Sequence, residues 1–179
     1  YKRQRQKGYS EAELVNANLA RRSDKNGRTS CYDNFRNRMM IPIIDLRGNV
    51  IAFGGRVLDD AKPKYVNTSD TLVYKKSQAI FALNFAKSAN QGKLILAEGY
   101  MDVIAYHQAG FTNAVACLGT ALTREQARLL ARYADEVILS YDADGAGQEA
   151  TRRAIGIFNE IGMKLRVLRL SGGKDPDEI

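Results

Sequence analysis

Between residues 93 and 170 the chain alternates apolar strand-like runs with amphipathic helix-like runs, and this rhythm constrains its fold more than any other feature. "KLILA" (93–97), "NAVACLG" (113–119), "EVILSY" (136–141) and "KLRVLRL" (164–170) read as strands. The intervening "YMDVIAYHQAG" (100–110), "TREQARLLARYA" (123–134) and "GQEATRRAIGIFNEIG" (147–162) read as helices. Thr123 with Gln126 three residues on forms a capping box, and Ala150, Ala154, Ile157, Phe158 and Ile161 share one helical stripe. Strand–helix repetition with short links predicts a parallel sheet with helices on its faces. Ligands of such sheets gather beyond the carboxyl ends of the strands. The acids stand there: Glu98 after the first strand, Asp142 and Asp144 after the third, and Asp175 and Asp177 after the fourth.

The first half is less regular. "MMIPIID" (39–45), a turn at Arg47-Gly48-Asn49, and "VIAFGGRVL" (50–58) predict a hairpin. Gly54-Gly55 predicts a bulge or a close backbone approach. Residues 75–92 read as one helix, and residues 1–30 as a short amphipathic helix around "EAELVNANLA" followed by a polar loop. This half is also the basic one. Residues 1–76 hold 16 Lys and Arg against 8 Asp and Glu, whereas residues 77–179 hold 11 against 12. A basic half joined to one that carries acidic clusters points to a polyanionic partner, with nucleic acid first.

Several chemistries are excluded. Cys31, Cys117 and the single His107 lack the spacing of a zinc site. No apolar run is long enough to span a bilayer, and "YKRQRQKGYS" is not a signal peptide. An EF-hand loop starting at Asp142 fails at Ala146 and Arg153. "SGGKD" is not a phosphate-binding Walker loop, no dinucleotide fingerprint or nucleophile elbow is present, and His107 in mid-helix reads as a packing or surface residue. An aspartate after a strand is commonly a turn former or helix cap, and Asp144 suits that role. Acids on several strand ends of one sheet, however, repel unless a cation neutralises them. Hard oxygen donors select Mg²⁺ or Mn²⁺. Among the basic residues, Arg36, Arg38, Arg56, Lys64, Lys75 and Lys76 stand near Phe35, Tyr65 and Tyr74, a mixture suited to a groove that tracks phosphates.

Three segments in this order, Glu98-Gly99-Tyr100-Met101-Asp102, Tyr141-Asp142-Ala143-Asp144-Gly145-Ala146-Gly147 and Asp175-Pro176-Asp177, resemble the signature of a Toprim domain. With "FRNRMMIPI", "FGGR" and "PKYVN" upstream, the chain from about Gly8 onward resembles the RNA-polymerase core of bacterial DnaG-type primases. The resemblance implies an α/β architecture: an α+β N-terminal subdomain (1–92) binding template and nucleotide, then a Toprim domain (93–179) with a four-stranded, mostly parallel sheet flanked by helices. It implies that Glu98, Asp142 and Asp144 are catalytic and, with Asp175 and Asp177, hold Mg²⁺ or Mn²⁺, with no zinc in this fragment and with Asp102 in support. Arg36, Arg38, Arg56, Lys64 and Lys76 would hold template and nucleotide phosphates.

The implied reaction is metal-dependent synthesis of RNA primers on single-stranded DNA from ribonucleoside triphosphates, in the bacterial cytoplasm at the replication fork. The replicative helicase would be met through a region outside this chain. Asn34 stands where the family commonly has Arg, Ile41 where it has Phe, and "NTSDT" replaces Asn-Ser-Pro-Glu-Thr. Two rivals remain at this stage: another Toprim enzyme (a topoisomerase or nuclease), and a non-catalytic nucleic-acid-binding module.

Overall fold

The computed structural model describes residues 1–25, 27–89, 91–142 and 144–168. The chain divides into two compact units, one of residues 1–43 and 50–75, the other of residues 44–49 and 76–179.

The first unit opens with helices α1 (Lys2–Gln6) and α2 (Glu11–Asn16). Ser10 begins α2 with a reciprocal capping box, accepting from the Glu13 amide while the Glu13 carboxylate accepts from the Ser10 amide at 2.7 Å. The expected polar loop that follows is instead an antiparallel hairpin, β1 (Ala20–Lys25) with β2 (Arg28–Asp33). Its residues are polar on both faces, so no apolar alternation announced it. Asn18 precedes it at φ 58°, and its carbonyl and side-chain oxygens accept from the Asn34 amide group at 2.8 and 2.9 Å.

Strands β3 (Arg38–Ile44), β4 (Val50–Val57) and β5 (Tyr65–Asn67) form a second sheet in that order, the hairpin that the apolar runs predict plus one short strand. At the hairpin tip the Asp45 carboxylate accepts from the amides of Arg47 (2.9 Å) and Asn49 (2.8 Å), and Gly48 takes φ 91°. Gly54 and Gly55 pair in unbroken register with Asn67 and Val66, so the glycines mark no bulge against β5. They mark a close approach: a Cβ on Gly55 would lie 2.9 Å from Phe35 Cδ1.

The second unit holds a parallel four-stranded sheet in the order β7 (Ala114–Ala116), β6 (Lys93–Ala97), β8 (Glu136–Ser140), β9 (Lys164–Val167). Period-two alternation sends Leu94, Leu96, Val115, Val137 and Leu139 to one face. There they pack with residues of α3 (Leu83–Ala89), α5 (Arg124–Leu130) and α6 (Gly145–Glu160). Ile95, Ala97, Ala114 and Ala116 go to the other face, against Val103 and Tyr106 of α4 (Tyr100–Gln108).

The single helix expected over 75–92 is reduced to α3. Before it, Phe81 pairs with Ala116 at the sheet edge, exchanging backbone bonds of 2.8 and 3.3 Å, and Ala82 takes φ 62°. The carbonyls of Lys76 and Ala79 each accept from the buried Gln126 side chain at 2.8 Å, and the Ser77 carbonyl accepts from the Thr123 hydroxyl at 2.6 Å. These tertiary partners replace the intrahelical bonds that residues 76–82 would otherwise make.

Candidate metal and nucleic-acid sites

Strands β6 and β8 are neighbours in register, Ala97 opposite Ser140, so the residues just beyond them emerge side by side. Glu98 is exposed at the end of β6, and its Oε2 accepts from the Asp142 amide at 3.2 Å. The turn that carries Glu98 is fixed from beneath: the 93%-buried Asp102, in the first turn of α4, accepts from the Gly99 amide at 2.8 Å. Asp142 is half-buried, with its Oδ1 shielded from solvent.

Asp144 plays a different part. It is the N-cap of α6, and its Oδ1 accepts from the Gly147 amide at 2.7 Å. The loop can close this tightly only because residue 147 has no side chain: a Cβ there would lie 2.2 Å from the Asp142 carbonyl oxygen. Gly145 has open space around it and is not needed for the bend.

The described residues therefore bring Glu98 and the Asp142 loop together and turn one oxygen of Asp144 toward the helix backbone. Asp175 and Asp177 lie outside the described residues. Among the described residues no three His, Cys, Asp or Glu side chains close round a common point. What is present is an exposed carboxylate, Glu98, beside the half-buried Asp142, rather than a cage. That donor set fits a small divalent cation that keeps several waters and binds through one or two carboxylates plus substrate phosphates. His107 and Cys117 are committed elsewhere. His107 Nε2 lies 3.0 Å from the Ala114 carbonyl, and burial pushes the Cys117 thiol up to about 12.

Beside Glu98 a cleft of about 370 Å³ runs between the loop after β7 and helix α6, walled by Cys117, Leu122, Tyr141 and Ile157. Burial, with smaller contributions from Cys117 and Glu98, raises the Tyr141 phenol far above its ordinary range, so it stays protonated.

The first unit carries four of the five basic residues that the resemblance assigns to phosphates. Arg36 is exposed, with its guanidinium 5.0 Å from the centre of the Tyr32 ring. Arg56, paired with Tyr65 across β4 and β5, lies 5.7 Å from that ring, and Lys64 lies 5.6 Å from it. Cations held over aromatic faces remain available to an anion while their stems are ordered. Arg38 differs: its guanidinium donates to the carbonyls of Pro63 and Lys64. Lys76, half-buried, belongs to the second unit. Asn34, at the commonly basic position, is turned inward onto Asn18.

Sequence reasoning saw Gln126 only as a helix-capping residue. The structure makes it a fully buried junction that also receives the Cys117 thiol at 3.5 Å. Its position on the inner face of α5, next to Ala127 and Leu130, was the signal available.

Residues 1–87 match the model for the DNA primase catalytic core, N-terminal domain, and residues 95–179 match a Toprim-like model. A DNA primase of Clostridium acetobutylicum is 51% identical over 173 residues, which cover 96% of this chain and 28% of that protein. One from Deinococcus radiodurans is 50% identical over 177 residues, with 96% and 30% covered. The chain thus spans about 30% of the length of these relatives.

Among solved structures, a DnaG primase catalytic domain bound to single-stranded DNA matches with a TM-score of 0.87 at 39% identity, covering 98% of this chain and 56% of that one. An E. coli primase catalytic core matches at 0.85 and 40%, covering 95% and 56%. Matched over residues 1–87 and 95–179 by these two family models, and by DNA primases at about half identity, this chain belongs to the DnaG-type DNA primase family.

Proposed function

We propose that this chain carries the template-directed, metal-dependent synthesis of short RNA primers on single-stranded DNA. Residues 1–92 would hold template and nucleotide, and residues 93–179 would hold the metal. The observation that carries the reading is the meeting of Glu98 with the Asp142 loop at the ends of two adjacent parallel strands. Crowding carboxylates at a strand end is unfavourable unless a cation joins them.

Glu98 and Asp142, with Asp144 and the two later acids Asp175 and Asp177, are the residues proposed to hold Mg²⁺ or Mn²⁺. A bound divalent cation supplies charge neutralisation at the triphosphate and a lowered pKa for the attacking 3′-hydroxyl. The chain's own contribution is positional. Asp102 holds the Glu98 turn at the carboxyl end of β6, and Gly147 lets the Asp142 carbonyl pack against α6. Asp144 keeps one oxygen free of its cap bond. Arg36, Arg56, Lys64 and Lys76 are proposed to bind the phosphates of template and nucleotide, with Tyr32 and Tyr65 ordering three of those cations. Catalysis of this kind is chiefly alignment and charge stabilisation.

The test is primer synthesis from labelled ribonucleotides on a single-stranded template, comparing this chain with Asp142→Ala. The variant is expected to lose at least about 100-fold in rate while still binding the template. Equal primer yield from parent and variant would end the catalytic assignment. Equal DNA binding with no synthesis from either would favour the non-catalytic binding module.

A further inference from the structure

Residues of "FGGRV" and their neighbours fit together in a way that separates one arginine from the rest. Gly55 leaves a gap in β4, and the stem of Arg38 lies in it: a Cβ on Gly55 would come within 3.1 Å of Arg38 Cδ. Across that gap the Arg38 guanidinium reaches the segment entering β5. Nη2 donates to the Pro63 carbonyl at 2.7 Å, and Nη1 donates to the Lys64 carbonyl at 3.1 Å, with a weaker contact of 3.5 Å to the Gly55 carbonyl. The Lys64 carbonyl also accepts from the Val57 amide at 3.1 Å, so this point is bonded from two sides. Immediately beyond it, Tyr65 sits opposite Arg56, with Arg56 and Lys64 each within 6 Å of the ring centre at 5.7 and 5.6 Å.

We infer that Arg38 is a positioning residue: it fixes the Pro63–Lys64 segment so that Lys64 and Arg56 flank Tyr65, and it does not itself contact phosphate. A guanidinium recognises phosphate through a planar fork of paired N–H groups. Here both terminal nitrogens are already directed at main-chain carbonyls, and binding an anion with that fork would release them. Among the described residues Arg36 has no such commitment, and it lies exposed over Tyr32. A lysine at position 38 could not replace the clamp, because one ammonium cannot reproduce two parallel N–H donors of fixed spacing. This inference rests on the reading that this face binds single-stranded DNA.

The first experiment uses the unaltered chain. Arginines are modified with an α-dicarbonyl reagent, and lysines with an acylating reagent, with and without a single-stranded oligodeoxynucleotide. Arg36, Arg56 and Lys64 are expected to be protected by the DNA, while Arg38 reacts slowly and at the same rate in both samples. Protection of Arg38 as strong as that of Arg36 overturns the inference alone. Protection of none of these residues removes the nucleic-acid reading beneath it.

A second experiment measures binding of the same oligonucleotide by Arg38→Lys, Lys64→Gln and the double variant, with thermal melts to confirm folding. Lys64→Gln is expected to lower the slope of log affinity against log salt by about 0.7. Arg38→Lys, although it keeps the charge, is expected to weaken binding several-fold, and the double variant to lose clearly less than the sum of the two single losses. Near-parental binding by Arg38→Lys, or additive losses in the double variant, overturns the positioning role. Where Arg38→Lys does not fold, the modification rates decide.

Discussion

Replacing Gly147 by alanine tests how the acidic loop is built. The added Cβ would lie 2.2 Å from the Asp142 carbonyl oxygen, 2.9 Å from its carbon and 3.1 Å from its nitrogen. Non-bonded heavy atoms settle at roughly 3.5 Å, so the main chain of residue 142 must retreat by about 1 Å or more. All the nearest atoms are backbone, so no side chain can swing aside to make room. The retreat also pulls on the Asp144 cap bond to the residue 147 amide and on the Asp142 amide bond to Glu98.

Overpacking costs about 1–3 kcal/mol, and loss of an Asp cap about 1 kcal/mol, giving an expected destabilisation of about 2–4 kcal/mol. Urea unfolding measures this, and a Mn²⁺ titration followed by calorimetry measures the site, where affinity is expected to fall at least tenfold. Gly145→Ala is the internal control. It meets nothing within 4 Å and needs no left-handed backbone, so it is expected to be neutral or to stabilise by up to about 1 kcal/mol. If Gly147→Ala matched Gly145→Ala in stability and in Mn²⁺ affinity, the close packing of this loop would have no energetic weight, and the reasoning would be wrong.

Three further substitutions probe the scaffold. Gln126→Leu keeps the apolar volume but takes this partner from the part-buried carbonyls of Lys76 and Ala79 and from the Thr123 amide. At about 1–3 kcal/mol for each buried group left unbonded, a loss of about 4 kcal/mol is expected in denaturant unfolding, and a loss under about 1 kcal/mol would contradict the junction role. Ala82→Gly relieves a non-glycine residue at φ 62°. The left-handed conformation costs an L-residue about 1–2 kcal/mol. Glycine's extra entropy takes back about 0.5–1 kcal/mol and the lost buried methyl about 0.8, so the melting temperature is expected to stay nearly unchanged. A large drop would show that φ here carries little strain. Tyr74 is 1% exposed, its hydroxyl meets no hydrogen-bonding partner among the described residues, and burial raises its pKa. Tyr74→Phe is therefore expected to stabilise by about 1 kcal/mol, and a loss instead would reveal a partner such as a buried water.

The sequence by itself determined the elements whose signals are local. Apolar runs of strand length between helical stripes placed β6 and β8 to within a residue, the Thr123 box placed the start of α5, and "LRGNV" placed the hairpin tip. Because strand ends carry the acids, the position of the candidate metal site followed from the same pattern. What only the tertiary structure decided are the features that depend on which backbone groups find partners elsewhere. The hairpin of β1 and β2 is polar on both faces, so its pairing rests on hydrogen bonds that leave no apolar period.

Residues 76–82 have the composition of a helix but spend their carbonyls on Gln126 and Thr123 and their edge on β7. From sequence Asp144 reads both as a metal ligand and as a helix cap, and Arg38 as a phosphate contact. In three dimensions one carboxylate oxygen caps α6, and the guanidinium binds two carbonyls. Composition says which side chains can carry charge. Only the folded backbone says which of those charges are already committed, because an unpaired main-chain N–H or C=O competes for the same side chains that a ligand would use.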